Sequence, residues 1–178
     1  MKGGAERRGA GWRAAYLAAA VGIYLVDQSS KAWAVRRLRL REPMTVIERF
    51  LYFGYAENPG IAFGQLQEGG ALGRWLLAGL AAAALVAVLV YFWRVPRTDD
   101  RTLGACALLL AGIAGNLTDR VRLGHVVDFI EVHLGSFQWP TFNVADAAIC
   151  VGAALLALDI ITEGKRKAVT GDKEAVGN

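Results

Sequence analysis

Cysteine and histidine are scarce in this chain: its 178 residues hold two of each. Cys106 and Cys150 lie inside apolar blocks, with no Cys-x-x-Cys and no histidine at zinc-ligand spacing. That pattern excludes a disulfide framework and a metal site, and it predicts two small buried hydrophobes. His125 and His133 form no zinc-type pair and read as structural or interface residues. Charge is thin as well. Asp, Glu, Lys and Arg make up 20% of the chain, and the net charge of +4 comes from basic residues gathered at the ends and in short connecting segments. A partner nucleic acid is excluded on that distribution; anionic lipid headgroups suit it better.

What the chain has in abundance is apolar residues in blocks. It is 54% hydrophobic with a mean hydropathy of +0.33, and its length allows one domain. The blocks indicate a membrane protein. Residues 1–13 are basic and Gly-rich and lead into the run Ala14 to Val26. The run mimics a secretory signal peptide, but Asp27-Gln28-Ser29-Ser30-Lys31 follows where a small-residue cleavage site would stand. A retained first span, reaching a little beyond Val26, is expected. Trp75 to Trp93 is 19 uncharged residues with aromatics at both ends, closed by Arg94, Pro96 and Arg97; its length and aromatic belt fit a bilayer crossing. Leu103–Leu117 and Thr141–Ile161 make a third and a fourth span. The polar, basic stretch 163–178 reads as a disordered tail.

Two segments are not spans. Arg36 to Arg41 is a basic stretch whose arginines snorkel toward lipid headgroups. Residues 44–66 are rich in Val, Ile, Phe and Tyr and are punctuated by Gly54 and Asn58-Pro59-Gly60, which predicts short strands and turns at the membrane surface. Four spans put both termini on one side. Eleven of the 20 Lys and Arg lie in the N-terminal segment, the 94–101 loop and the tail, a small excess that favours cytoplasmic termini. Asp27, Lys31, Asn58, Asn116, Asp119, Arg120, Asp128, Asn143 and Asp146 then all fall at the outer face.

A carboxylate in an apolar segment is expensive, and function is the usual reason for one. Asp128 sits in Val126-Val127-Asp128-Phe129-Ile130, which has strand character; Asp146 opens the fourth span. Each has a plainer reading: a polar residue on an edge strand for Asp128, and helix-start chemistry for Asp146 with Asn143. Asp146 looks too deep in its helix for a cap. Asn116 and Asp119 share a helix face; Asp119-Arg120 reads either as a solvated ion pair or as a brace for the carboxylates. Asp27 and Lys31 are an i, i+4 pair that a surface salt bridge would explain, and Asn58-Pro59-Gly60 reads as a turn. Intramembrane acids also suit a transporter or channel subunit, or a structural protein whose acids pair with Arg120 and Arg122.

The motifs together are more specific. In order they are Asp27-Gln-Ser-Ser-Lys31, Asn58-Pro-Gly60-Ile-Ala62-Phe63, Gly112-Ile-Ala-Gly115-Asn116-Leu-Thr-Asp119-Arg120, Gly124-His-Val126-Val-Asp128-Phe129 and Pro140-Thr-Phe142-Asn143-Val-Ala145-Asp146. This series resembles the bacterial lipoprotein signal peptidase family (signal peptidase II) over residues 15 to 160. One departure is Ala111, where the family usually has the first Gly of a pair. The resemblance implies an all-α integral membrane protein with four transmembrane helices, a small extracytoplasmic β-sheet and an interfacial helix. Its peptidase domain would span 14–162, between a basic cytoplasmic segment 1–13 and the tail. It implies an aspartic endopeptidase of the bacterial cytoplasmic membrane that cuts diacylglyceryl-modified prolipoproteins just before the lipidated cysteine. Asp128 and Asp146 would be the catalytic pair. Asp27, Lys31, Asn58, Gly60, Asn116, Asp119, Arg120 and Asn143 would support it or bind substrate. No metal or cofactor is implied, globomycin-type inhibitors would bind at the site, and a monomer surrounded by membrane lipids is expected.

Overall fold

The computed structural model describes residues 11–60 and 70–176. Residues 61–69, which include Ile61, Ala62 and Phe63 of the second motif, and the head 1–10 lie outside the described residues. The elements in order are α1 (Gly11–Arg37), β1 (Met44–Ile47), β2 (Leu51–Asn58), α2 (Gly70–Arg94), α3 (Asp100–Leu123), β3 (Val126–Leu134), β4 (Phe137–Gln138) and α4 (Val144–Val176).

Three helices are long and apolar enough to cross a membrane: Leu72–Arg94 of α2, Asp100–Leu123 of α3 and Val144–Thr162 of α4. Helix α3 is central. Its spanning stretch is 61% buried, against 11% for α2 and 17% for α4, so the outer helices turn Leu76, Leu80, Val86, Val151 and Ile160 outward, as a hydrocarbon surround permits. Small residues let α3 and α4 approach closely. A Cβ on Gly112 would fall 2.4 Å from the Ala145 carbonyl oxygen, and one on Gly152 would fall 2.9 Å from the Ala105 oxygen.

Helix α1 departs from the sequence expectation at its far end. It does not stop near Val26; it runs on to Arg37, carrying Asp27 and Lys31 within it, both buried. Polar residues continue a helix when another helix satisfies them, and here α3 does so. The same residues set α1 apart from the three clearly apolar spans. No interfacial helix is found among the described residues. The tail is not the disordered segment its composition suggests: α4 continues through it to Val176. Ala, Glu, Lys and Arg dominate that stretch and proline is absent from it, a composition of good helix formers.

The helices are punctuated as their sequences require. Asp99 caps α3, its side chain accepting from Thr102 N at 3.1 Å. Gly124 ends α3 in the left-handed region, φ 86°, and donates its N–H to the Arg120 carbonyl. Arg74 of α2 donates to two of the last carbonyls of α3, those of Arg120 and Val121.

The strands form one antiparallel sheet in the order β1-β2-β3-β4. It packs on the second half of α1, where Ala34 and Leu38 meet Val127 and Phe129, with Trp33 edge-on to Phe53 and Phe129. The β2–β3 register shifts once. Phe53 pairs with Ile130, but Ala56 pairs with Asp128 and Asn58 with Val126. One extra β2 residue is accommodated there, as in a bulge. Without it Tyr55 would oppose Asp128, and Asn58 would point to the other face of the sheet. Asp128 is not on an open edge: β2 pairs with it through Ala56, and the Phe142 segment closes the other side of β3 at Phe129 and Ile130. Cys106 is buried in a cluster with Phe92, Val95 and Leu103, whereas Cys150 is exposed on the outer side of α4; the expectation of two buried thiols holds for Cys106 alone. His125 and His133 each lie 3.8 Å from a glutamate, Glu57 and Glu131, on the sheet.

Candidate active site

The site is assembled where α1, α3, β3 and the start of α4 converge. The segment before α4 is stitched to β3: Phe129 and Ile130 donate their N–H groups to the Phe142 carbonyl, and Phe142 N donates back to Ile130 O. That pairing delivers Asn143 to the side of Asp128. Asn143, completely buried, then contacts both candidate carboxylates. Its Nδ2 donates to Asp128 Oδ1 at 2.7 Å, and its backbone N donates to Asp146 Oδ2 at 3.3 Å.

Asn143 and Asp146 also form a reciprocal helix cap. Asp146 N donates to Asn143 Oδ1 at 2.9 Å while the Asp146 carboxylate accepts from Asn143 N, the capping-box exchange. Asp146 is thus not too deep to cap. The cap serves the site, because it fixes one oxygen of Asp146 and leaves the other for Asn116 Nδ2, which donates to Oδ1 at 2.7 Å.

A second asparagine amide serves Asp128. Asn58 Nδ2 donates to Asp128 Oδ2 at 2.9 Å. The Asn58 amide is oriented by its own turn, with Gly60 N donating to Asn58 Oδ1 at 2.8 Å. Gly60 has φ 79°, and a Cβ there would meet Leu77 Cδ1 at 2.7 Å and Arg120 Nη2 at 3.3 Å, so glycine is required by both backbone and space. Arg120 therefore packs over this turn. It does not pair with Asp119: its nearest acceptor is the Asn116 carbonyl at 3.5 Å, and its Nε is buried without a partner among the described residues. Neighbours in sequence on a helix do not face each other.

The partner of Asp119 comes from α1. Lys31 Nζ lies 2.9 Å from Asp27 Oδ2, 2.9 Å from Asp119 Oδ2 and 3.0 Å from Asn116 Oδ1. An ammonium has three protons, and here each has an acceptor. The pair Asp27–Lys31 is thus no surface salt bridge; both side chains are almost wholly buried. Asp27 Oδ1 accepts from Ala145 N in the first turn of α4, and Asp119 Oδ2 accepts from Val127 N in β3. Lys31 also fixes the sense of the Asn116 amide, turning Nδ2 toward Asp146. Gln28 is a member of the site that its residue type alone does not reveal. It donates to Asp27, Asp119 and the Gly115 carbonyl at 3.1 to 3.3 Å; its place beside Asp27 in the first motif is the one signal in the sequence.

Charge is unevenly shared. Four carboxyl groups, Asp27, Asp119, Asp128 and Asp146, lie around one ammonium, and that ammonium is spent on the first two. Asp128 is 2% exposed. Its carboxyl is pushed up to about 6, first by burial and then by the charge of Asp146, against the donated hydrogen bonds of Asn58 and Asn143 and the charge of Lys31. Asp146 is less buried and stands in the first turn of α4. Among the described residues no group of three or more His, Cys, Asp or Glu is arranged to hold a metal ion.

Comparison with known proteins shows the family. The model for the signal peptidase (SPase) II family matches residues 19–162. The lipoprotein signal peptidase of Cellvibrio japonicus is 43% identical over 145 residues, covering 82% of this chain and 84% of its own. That of Teredinibacter turnerae is 43% identical over 152 residues, covering 84% and 88%. A bacterial membrane enzyme solved by the in meso method at 2.3 Å resolution superposes with a TM-score of 0.75 at 27% identity, covering 86% of this chain and 92% of that one. A second, at 1.9 Å, gives 0.71 at 28% identity, covering 83% and 92%. With the match running through α1, the sheet and α4, the chain belongs to the signal peptidase II family, proteases that remove signal peptides from lipoproteins.

Proposed function

We propose that Asp128 and Asp146 are the catalytic dyad of an aspartic endopeptidase acting on diacylglyceryl-modified prolipoproteins, with cleavage just before the lipidated cysteine. The observation that carries this is Asn143, one buried residue hydrogen-bonded to both carboxylates. Two acids held this close share a proton rather than both ionise, as the paired aspartates of pepsin do. Burial favours the proton on Asp128, which leaves Asp146 as the base. The ionised Asp146 takes a proton from a water, whose oxygen bonds to the scissile carbonyl carbon. Asp128 gives its proton to the carbonyl oxygen. Collapse of the tetrahedral intermediate breaks the C–N bond, the leaving amine takes the proton held by Asp146, and Asp128 recovers its own.

Asn58, Asn116 and Asn143 hold the two carboxylates in place. Asp27, Lys31, Asp119 and Gln28 lock α1, α3, α4 and β3 together behind them. Arg120 and Gly60 support the Asn58 turn. With α1 as a fourth span, both termini lie in the cytoplasm of a bacterium and the dyad lies at the outer surface of its cytoplasmic membrane. There the two acyl chains of a substrate stay in the outer leaflet while the peptide reaches the site. Globomycin-type inhibitors would occupy the same place, and the protein would act as a monomer.

The test is cleavage of one precursor with and without its diacylglyceryl group. The expected product begins with the lipidated cysteine, by mass spectrometry, and the unlipidated precursor is cut far more slowly. Equal turnover of both, or a cut elsewhere, would overturn the substrate assignment.

A further inference from the structure

A cleft lies behind the polar cluster, separated from the dyad's asparagines by Lys31, which donates to Asn116, and by Val127, whose carbonyl accepts from Asn143. It encloses about 260 Å³ between the ends of α1 and α3 and the start of β3. Its floor is formed by Lys31, Gln28 and Asp119, whose charges and amide are already matched to one another and to Asp27. Its walls are apolar: Ala32, Val35, Leu123 and Val127. Its rim carries Arg36 and Arg122, both exposed. Neither guanidinium has an acidic partner or a hydrogen-bond acceptor among the described residues; Arg39, just beyond α1, does have one, Glu57 at 3.5 Å.

Position decides what such a cleft would meet. Helix α3 is long and apolar enough to cross a membrane and ends at Leu123; in such a crossing Arg122 would stand at headgroup level, and Arg36 lines the same cleft from the end of α1. A guanidinium fork matches phosphate oxygens in pairs, and the apolar walls suit the glycerol and upper chain carbons below a phosphate. The carboxylate of Asp119 lines the cleft too, but Lys31, Gln28 and Val127 N occupy its oxygens.

We propose that this cleft is a specific site for the phosphate of an anionic phospholipid headgroup, clamped between Arg36 and Arg122. The site differs from a diffuse attraction of the whole 36–41 basic run, since Arg37 and Arg41 do not line it. It rests on the membrane-spanning fold and not on the dyad.

The experiment is native mass spectrometry of the full chain in detergent, offered phosphatidylglycerol or phosphatidylcholine. The intact protein is expected to retain phosphatidylglycerol preferentially. Arg36→Gln with Arg122→Gln should lower that preference about tenfold, while Arg37→Gln with Arg41→Gln leaves it nearly unchanged. Arg36→Lys with Arg122→Lys, which keeps charge without the fork, should fall between. Undiminished preference in the first pair, an equal loss in the Arg37/Arg41 pair, or displacement of the lipid by excess inorganic phosphate would each overturn the proposal. Asp128→Asn should keep the lipid preference whatever it does to cleavage, which separates this site's failure from that of the proposed function.

Discussion

Asp146 and Asp159 lie on the same helix, one near each end of the apolar stretch of α4, and their surroundings differ. Asp146 meets two asparagines, and through Asn116 it reaches the ammonium of Lys31 and the acids Asp27 and Asp119. Asp159 accepts one hydroxyl, from Thr102 at 3.0 Å. Beside it, Phe92, Val95, Leu103 and Cys106 pack as an ordinary apolar cluster. Arg13 closes that end by donating to the Val95 carbonyl and lying 5.3 Å from the Trp93 ring centre. Apolar packing holds one end of the bundle. At the other, polar groups are buried where hydrophobes would be more stable, which is the expected mark of a site selected for chemistry.

The widest separation between the ends should appear in activity. Asp146→Asn is expected to lower cleavage of a lipidated precursor by about 10²- to 10⁴-fold, the usual contribution of a positioned acid or base, whereas Asp159→Asn leaves the rate near that of the parent. Comparable losses in both would erase the distinction. Lys31→Met comes next. It leaves Asp27 and Asp119 buried without their cation, and thermal unfolding in detergent should register a loss of about 3–5 kcal/mol; an unchanged midpoint would mean that the cluster is solvated.

A subtler contrast lies in pH. The Asp128 carboxyl is raised from 3.8 to about 6. Between those values the folded protein holds a proton that the unfolded chain has released. Stability therefore falls as pH rises through that window, by on the order of 3 kcal/mol, and the loss is complete above it. Asp128→Asn should lack this slope, which unfolding midpoints at a series of pH values would reveal. A slope retained in the variant would assign it to another group. Smallest is Thr102→Val at the apolar end. It removes one hydrogen bond and should shift stability by only about 1 kcal/mol, with cleavage unaffected.

Much of this architecture is written locally. The α2 span, the strand at Val126, the turn at Asn58-Pro59-Gly60 and the end of α3 at Gly124 follow from short stretches of residues. Other features are not local. Asp27 and Lys31 look like the end of a span because the matching acceptors, Asp119 and Asn116, are far away in sequence. Arg120 looks like the partner of Asp119 because it is adjacent, yet adjacency on a helix separates side chains. The β2 register shift that turns Asn58 toward Asp128 leaves no signature beyond Gly54, and the service of Arg74 to the end of α3 leaves none. Motif order picks out the candidate residues of the site; their pairings depend on how the helices approach one another.

The most direct test is cleavage of a diacylglyceryl-modified precursor by purified Asp128→Asn, with its fold checked by thermal unfolding. The dyad predicts a folded protein that binds the precursor and releases no signal peptide. A folded Asp128→Asn that cuts at the parent rate would contradict it.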